Sequence, residues 1–229
     1  MPAIEIVLVH GAGGTPKTWA RVLPLLEESG YAVSAVTNPM TSLLDDVATT
    51  TAWIDEHTTG DVLLVGHSYG GAVIGGAGVH PRVRGLVYVA AWGPDTGESI
   101  QDILVRYPPA EVSKHMLRGP NGEWTSADTP EYWAEINPDV SPEMRVLWKS
   151  DSRPSANAIF EQKAPAAAWR DLPRWYLVAA QDKTLRTDTQ RDMAARMEAV
   201  TYDVPGSHSV PQVSPGRVVE LIDEAVRAL

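Results

Sequence analysis

The chain has 229 residues, 44% of them hydrophobic, a formal net charge of −10 and no cysteine. A core of useful size is within reach of such a chain as one domain, whereas nucleic acid and anionic membrane surfaces repel it, with no Lys/Arg cluster to offset the repulsion. Disulfide and thiolate chemistry are excluded, a composition that fits the cytoplasm, and no segment approaches the roughly 20 uninterrupted apolar residues that span a bilayer.

The N-terminal stretch PAIEIVLVHGAGG carries Glu5 inside its apolar run and no basic residue before it. It reads as a first strand over 4–10 ending in a glycine turn, not as a signal peptide. TWARVLPLLEESG then places Trp19, Val22, Leu23, Leu25 and Leu26 at helical spacing, with Gly30 as the stop. A second strand is predicted over 31–37. A helix follows from Ser42 to His57 with Leu43, Leu44, Val47, Trp53 and Ile54 facing inward. DVLLVG (61–66) is a short apolar run, the mark of a strand covered on both faces. A helix of small residues, AVIGGAGVHP, and a strand over 83–92 complete an alternation that predicts a mostly parallel sheet flanked by helices.

The rhythm breaks after Trp92. Prolines recur at 94, 108, 109, 120, 130, 138, 142 and 154, and Trp124, Trp133 and Trp148 stand among acidic residues. Long irregular insertions in compact domains are usually functional, so residues 93–152 are predicted to form a cap of short helices and loops over a cleft. The core resumes at 153–229: a helix in SANAIFEQKAPAAAW, a strand over 174–180, a helix over 188–197, a strand over 199–205 and a closing helix with Pro215 near its start. Residues 1–92 and 153–229 are thus expected to form one core, with 93–152 inserted into it.

The chemistry concentrates at VLLVGHSYGGAVIGG (62–76), where Gly66-His67-Ser68-Tyr69-Gly70 matches G-x-S-x-G between a strand and a helix. Such a turn lifts the serine above the sheet edge, and only small neighbours let the two backbones pass. A serine hydroxyl needs a base to take its proton and donors for the oxyanion it creates. His208, in the loop PGSHSV after the last strand, is the candidate base. Asp182, in AAQDKTL after strand 174–180, is the leading acid, with Asp95, Asp188 and Asp203 as rivals. The order Ser68, Asp182, His208 is that of a nucleophile-elbow triad. HGAGG after the first strand is the candidate oxyanion loop, with the Ala12 and Tyr69 N–H groups as donors. His67 is expected to buttress the elbow and His10 to order the glycine loop, while His57, His80 and His115 read as surface residues. None of the six histidines forms a close ligand pair, so no metal and no cofactor is expected. Trp92, Trp133 and Trp148 are the candidate pocket walls.

HGAGG, GHSYGG, QDKT and SHSV in this order resemble the α/β-hydrolase superfamily, and within it the small branch of plant methylesterases, the related hydroxynitrile lyases and their bacterial esterase relatives. The resemblance covers the chain outside the insertion. It implies an α/β-hydrolase fold with a helical cap, and it carries the nucleophile to Ser68, the acid to Asp182, the base to His208 and the oxyanion donors to Ala12 and Tyr69. Two positions depart from the branch. Ser209 stands where the hydroxynitrile lyases carry a lysine, which argues against cyanohydrin cleavage. Gly13-Gly14 replaces a bulkier pair, so the plant substrates are not carried over. The expected activity is hydrolysis of small, largely apolar carboxylic esters through an acyl-enzyme. Alternatives are a lactonase, amidase, perhydrolase or C–C lyase on the same triad, or a ligand receptor or carrier. The expected partner is a small-molecule ester, and a homodimer is an allowed assembly.

Overall fold

Apolar runs too short for helices pair into one sheet, and the segments between them wrap it. In chain order the first half contains β1 (Glu5–Val9), α1 (Leu23–Glu28), β2 (Val33–Val36), α2 (Leu43–His57), β3 (Val62–His67), α3 (Gly70–Ala77) and β4 (Val83–Val89). Residues 93–152 supply α4 (Ile100–Leu104), the strand pair β5 (Met116–Arg118) and β6 (Trp124–Ser126), α5 (Pro130–Ile136) and α6 (Pro142–Asp151). The remainder is α7 (Ala158–Glu161), β7 (Arg174–Ala179), α8 (Thr187–Arg196), β8 (Val200–Val204), α9 (Val210–Val213) and α10 (Pro215–Ala228). This computed structural model describes residues 4–229; residues 1–3 of the expected first core segment lie outside the described residues.

The large sheet runs β2-β1-β3-β4-β7-β8, and each neighbouring pair is parallel. Successive strand residues point to opposite faces. Val7, Val9 and Leu64 accordingly join a core with Leu43, Ile54, Ala72 and Met193 of α2, α3 and α8. Ile6, Leu8, Leu63 and Val65 join a second core with Leu26 of α1 and Val218, Leu221, Ile222 and Ala225 of α10. The last four recur at i, i+3, i+4 and i+7, one stripe of a helix. Among the described residues no helix is long and apolar enough to cross a membrane.

Several expected elements differ. The helix expected over 18–30 is a single 3-10 turn, Pro16–Trp19, followed by α1, because Pro24 fits only the first turn of a helix. The helix expected over 155–169 is likewise cut to α7 and a 3-10 turn, Ala168–Arg170, with Pro165 between them. The insertion contains an antiparallel pair, Met116↔Ser126 to Arg118↔Trp124, in addition to helices. On α2, Leu44 is exposed and Asp46 is buried in its stead. Asp46 is tolerated inside because it accepts hydrogen bonds from the Met40 N–H (2.9 Å) and the Tyr69 hydroxyl (2.7 Å).

Two glycines are dictated by close approach where β3 turns into α3. A Cβ on Gly66 would lie 2.6 Å from the Gly70 carbonyl oxygen, and one on Gly70 would lie 2.4 Å from that of Val9. Backbone cannot yield cheaply there. Gly70→Ala is therefore expected to destabilise the fold by at least about 2 kcal/mol in urea denaturation. Gly216→Ala, where nothing lies within 4 Å of the added carbon, should leave the midpoint unchanged or raised.

Candidate active site

The site begins with a strained serine. Ser68 sits at φ 55°, in the left-handed region, between the end of β3 and the start of α3. A non-glycine residue there costs on the order of 1–3 kcal/mol, so its surroundings must hold it. The Ser68 N–H donates to the Val89 carbonyl (3.2 Å), and the Ser68 carbonyl accepts from the N–H groups of Gly71 (3.0 Å) and Trp92 (2.9 Å). With the backbone fixed this way, the side chain stands at the carboxyl end of the sheet.

The loops after β7 and β8 come to the same edge. His208 Nε2 lies 2.8 Å from Ser68 Oγ, and His208 Nδ1 lies 2.6 Å from Asp182 Oδ2. The Asp182 side chain is fully buried and its oxygens are further occupied by the Gln190 amide (2.7 Å) and the N–H groups of Thr184 (2.7 Å) and Leu185 (2.9 Å). A carboxylate only accepts, so Nδ1 carries the proton and Nε2 is left to accept from the serine hydroxyl. The rival acids lie elsewhere: Asp95 pairs with Arg170, Asp188 with Arg186 and Asp203 with Arg191.

Two buried histidines support this arrangement. His67 Nε2 hydrogen-bonds the His208 carbonyl oxygen at 2.9 Å, and the two rings lie 4.8 Å apart. Burial first, and then the adjacent His208 ring, lower the His67 pKa to about 3. His10 Nδ1 bonds the Gly11 carbonyl (2.9 Å) while its Nε2 accepts from the Asn38 N–H (3.2 Å), and burial lowers its pKa to about 4. Both rings are therefore neutral fasteners. Of the histidines expected at the surface, His57 is exposed. His80 and His115 are mostly covered and paired with Asp55 and Glu135, because each lies against a neighbouring helix that supplies a carboxylate.

The glycine loop passes directly over the serine: a Cβ on Gly11 would meet Ser68 Cβ at 2.8 Å. Its far side is tied down by Arg153, whose N–H donates to the Gly13 carbonyl (2.9 Å) and whose guanidinium donates to the carbonyls of Gly14 and Asn38 (both 2.9 Å). Ala12 is exposed and lines the cavity. Neither the Ala12 nor the Tyr69 N–H donates to another protein group among the described residues. The Tyr69 ring is buried away from the cavity with its hydroxyl on Asp46.

Above Ser68 opens a cavity of about 590 Å³, walled chiefly by apolar and aromatic side chains. Trp92 and Trp148 line it. Trp133 does not: it packs edge-on behind Trp148, with ring centroids 6.1 Å apart, and its Nε1 donates to Asp128 (2.8 Å). Its helix, α5, turns Trp133 toward Tyr132, Ile136 and Val140 in a small core of the insertion's own. Tyr107, Trp124, Phe160, Asn137 and Gln212 line the cavity without having been anticipated. Tyr107 and Asn137 come from irregular segments, and Trp124, Phe160 and Gln212 from elements of three or four residues, too short for a periodicity to tell which side faces a cleft. Among the described residues no cluster of three or more His, Asp or Glu is arranged to hold a metal ion.

Comparison with known proteins gives a consistent picture. Residues 6–221 match the model of the alpha/beta hydrolase family. The chain is similar to methylesterase 8 of Arabidopsis thaliana, with 26% identity over 82% of this chain and 76% of that protein. It is also similar to a carbendazim hydrolyzing esterase of a Nocardioides species, with 32% identity over half of this chain and 53% of that protein's length. Among solved structures, a pyrethroid hydrolase from Sphingobium faniae superposes with a TM-score of 0.83 at 21% identity, covering 99% of this chain and 98% of that one.

The two buried histidines carry a consequence for acid stability. In the unfolded chain each takes up a proton near pH 6.5, but in the folded chain only near pH 4 (His10) and pH 3 (His67). Below pH 6.5 the unfolded state holds more protons, so their contribution is complete above that pH and is lost as pH falls. The expected loss is about 1 kcal/mol per pH unit for each histidine. Urea midpoints between pH 7 and 4.5 should fall accordingly, and His67→Asn should show a shallower decline despite lower stability at pH 7. Parallel declines would contradict the assignment.

Proposed function

Since the chain belongs to the alpha/beta hydrolase family, we propose that it is a carboxylic ester hydrolase working through Ser68, His208 and Asp182. The observation that carries this reading is the continuous relay from Ser68 Oγ through His208 to the buried Asp182 carboxylate, at the floor of an apolar cavity. The relatives' names, methylesterase and carbendazim hydrolyzing esterase, agree with it.

The steps follow from the geometry. As Ser68 Oγ attacks the ester carbonyl carbon, its proton passes to His208 Nε2. Asp182 balances the imidazolium and fixes the ring's tautomer. The carbonyl oxygen becomes an oxyanion, which accepts from the N–H groups of Ala12 and Tyr69. Their lack of protein partners supports this role, since a donor already occupied within the fold would have to break a bond first. The tetrahedral adduct collapses, the carbon–oxygen bond to the alkoxy group breaks, and His208 returns its proton to the departing alcohol. Water then attacks the acyl carbon, giving a proton to Nε2; the carbon–oxygen bond to Ser68 Oγ breaks, Oγ takes that proton back from Nε2, and the acid leaves.

The cavity sets the substrate. Its size falls in the range that encloses small organic ligands, and the walls formed by Trp92, Trp124, Trp148, Tyr107 and Phe160 favour a small-molecule ester carrying bulky apolar or aromatic groups. The charged side chains in its lining are Lys17 and Asp151, which pair with each other at 3.0 Å, so each charge answers the other. An ester of low charge therefore suits the site better than an anionic one.

The test uses p-nitrophenyl acetate and butyrate. Ser68→Ala should lower kcat by roughly 10³–10⁶-fold with the fold intact by circular dichroism. A variant that retains wild-type turnover would contradict the proposal.

A further inference from the structure

The loop bearing His208 is gripped from outside the core, and the grip comes from the insertion. Asn137 ends α5 and is buried. Its Oδ1 accepts hydrogen bonds from the hydroxyls of Ser209 (2.8 Å) and Ser207 (3.2 Å), the two residues that flank His208. Its Nδ2 donates to the Tyr132 hydroxyl (3.1 Å), which fixes the orientation of the amide. Two residues on, Asp139 accepts the Ser207 N–H at 2.8 Å. The Ser209 N–H in turn donates to Ser207 Oγ (3.3 Å), closing the network on the loop itself.

From the core side the loop is held by His67 on the His208 carbonyl (2.9 Å), by Asp182 on the ring and by the N–H groups of Gln212 and Val213 on the Ser209 carbonyl (2.8 and 3.0 Å). From the insertion side the holds fall on residues 207 and 209, either side of the base. Two neighbouring hydroxyls converging on one buried amide oxygen leave the backbone of 207–209 little freedom to rotate. Rotation there would swing His208 Nε2 away from Ser68 Oγ, and misplacement on the scale of an ångström is enough to lower a rate about 100-fold.

We infer that Asn137 is a positioning residue for the general base: the insertion that walls the substrate cavity also sets the aim of His208, through the Asn137 amide and the hydroxyls of Ser207 and Ser209. Ser209, which stands where the resemblance to hydroxynitrile lyases would have put a lysine, has a role in this arrangement as the closer of the two hydroxyl donors. The inference rests on the reading of His208 as the base for Ser68.

Steady-state hydrolysis of p-nitrophenyl butyrate and the rate at which a small fluorophosphonate labels Ser68 test it together. The proteins compared are wild type, Asn137→Ala, Ser209→Ala and the double variant. Asn137→Ala should lose about 10–100-fold in kcat and a similar factor in labelling rate, with KM within about threefold of wild type. The double variant should be no slower than Asn137→Ala alone, because both changes break one connection. A raised KM with unchanged kcat would make Asn137 a substrate contact only and overturn the inference. Unchanged kinetics, or losses that multiply in the double variant, would overturn it as well. Should Asn137→Ala fail to fold, Ser209→Ala carries the test alone: a several-fold drop in both kcat and labelling is expected, and wild-type values overturn it. His208→Ala in the same series separates the two readings. If that variant stays active, the triad proposal fails, whereas an inactive His208→Ala beside an unaffected Asn137→Ala defeats only the role given to Asn137.

Discussion

The constraint on which the site depends is the turn that holds Ser68 in left-handed backbone. β3 must stop and α3 must start within two residues, so the helix backbone passes against the Val9 carbonyl and the strand passes against Gly70. That proximity admits no side chain at Gly66 or Gly70. The Ser68 carbonyl, captured by the N–H groups of Gly71 and Trp92, holds the strain in place. Strain of this kind persists only where the surrounding structure over-determines it. Here the surroundings are the parallel strands β1, β3 and β4, whose carboxyl ends meet at the same edge.

What gathers around the serine is fastened by hydrogen bonds in which at least one partner is uncharged, rather than by ion pairs. His67 ties the elbow to the His208 loop, His10 ties the glycine loop to Asn38, and Gln190 holds Asp182 from the side. Arg153 closes the glycine loop against the segment leaving the insertion. Apart from the Gln190–Asp182 bond, which spans eight residues, each of these bonds joins parts of the chain far apart in sequence but adjacent at the sheet edge. On the proposed mechanism, an arrangement assembled this way reorganises little when charge develops on the imidazole, which is the condition for preorganised catalysis.

How much of this could be read from sequence follows the distance over which each feature is determined. The strands were legible because a buried parallel strand is a local run of apolar residues, and the elbow because five consecutive residues define it. Ser68 and Asp182 could be found as polar residues just past such a run, and His208 as a histidine in the Gly/Ser loop after β8, whose first four residues are exposed. Features set by distant partners were not legible. Leu44 fits the apolar pattern of α2 better than Asp46, but Tyr69 and Met40 reach Asp46 from elsewhere and satisfy it inside. Trp133 and Trp148 look equivalent in sequence, yet only Trp148 faces the cavity, because the small core of the insertion claims the other ring. Asn137 gives no signal at all until Ser207 and Ser209 are seen to converge on it.

The central claim is that Ser68 Oγ takes up the acyl group of an ester while His208 holds its proton. Rapid-quench mass spectrometry of the intact chain during turnover of p-nitrophenyl butyrate, followed by peptide mapping, addresses it most directly. An adduct of butyryl mass is expected on the peptide containing Ser68, formed within the first turnover, decaying as substrate is exhausted and absent from Ser68→Ala. Sustained hydrolysis with no adduct on that peptide, or an adduct that maps to another residue, would contradict it.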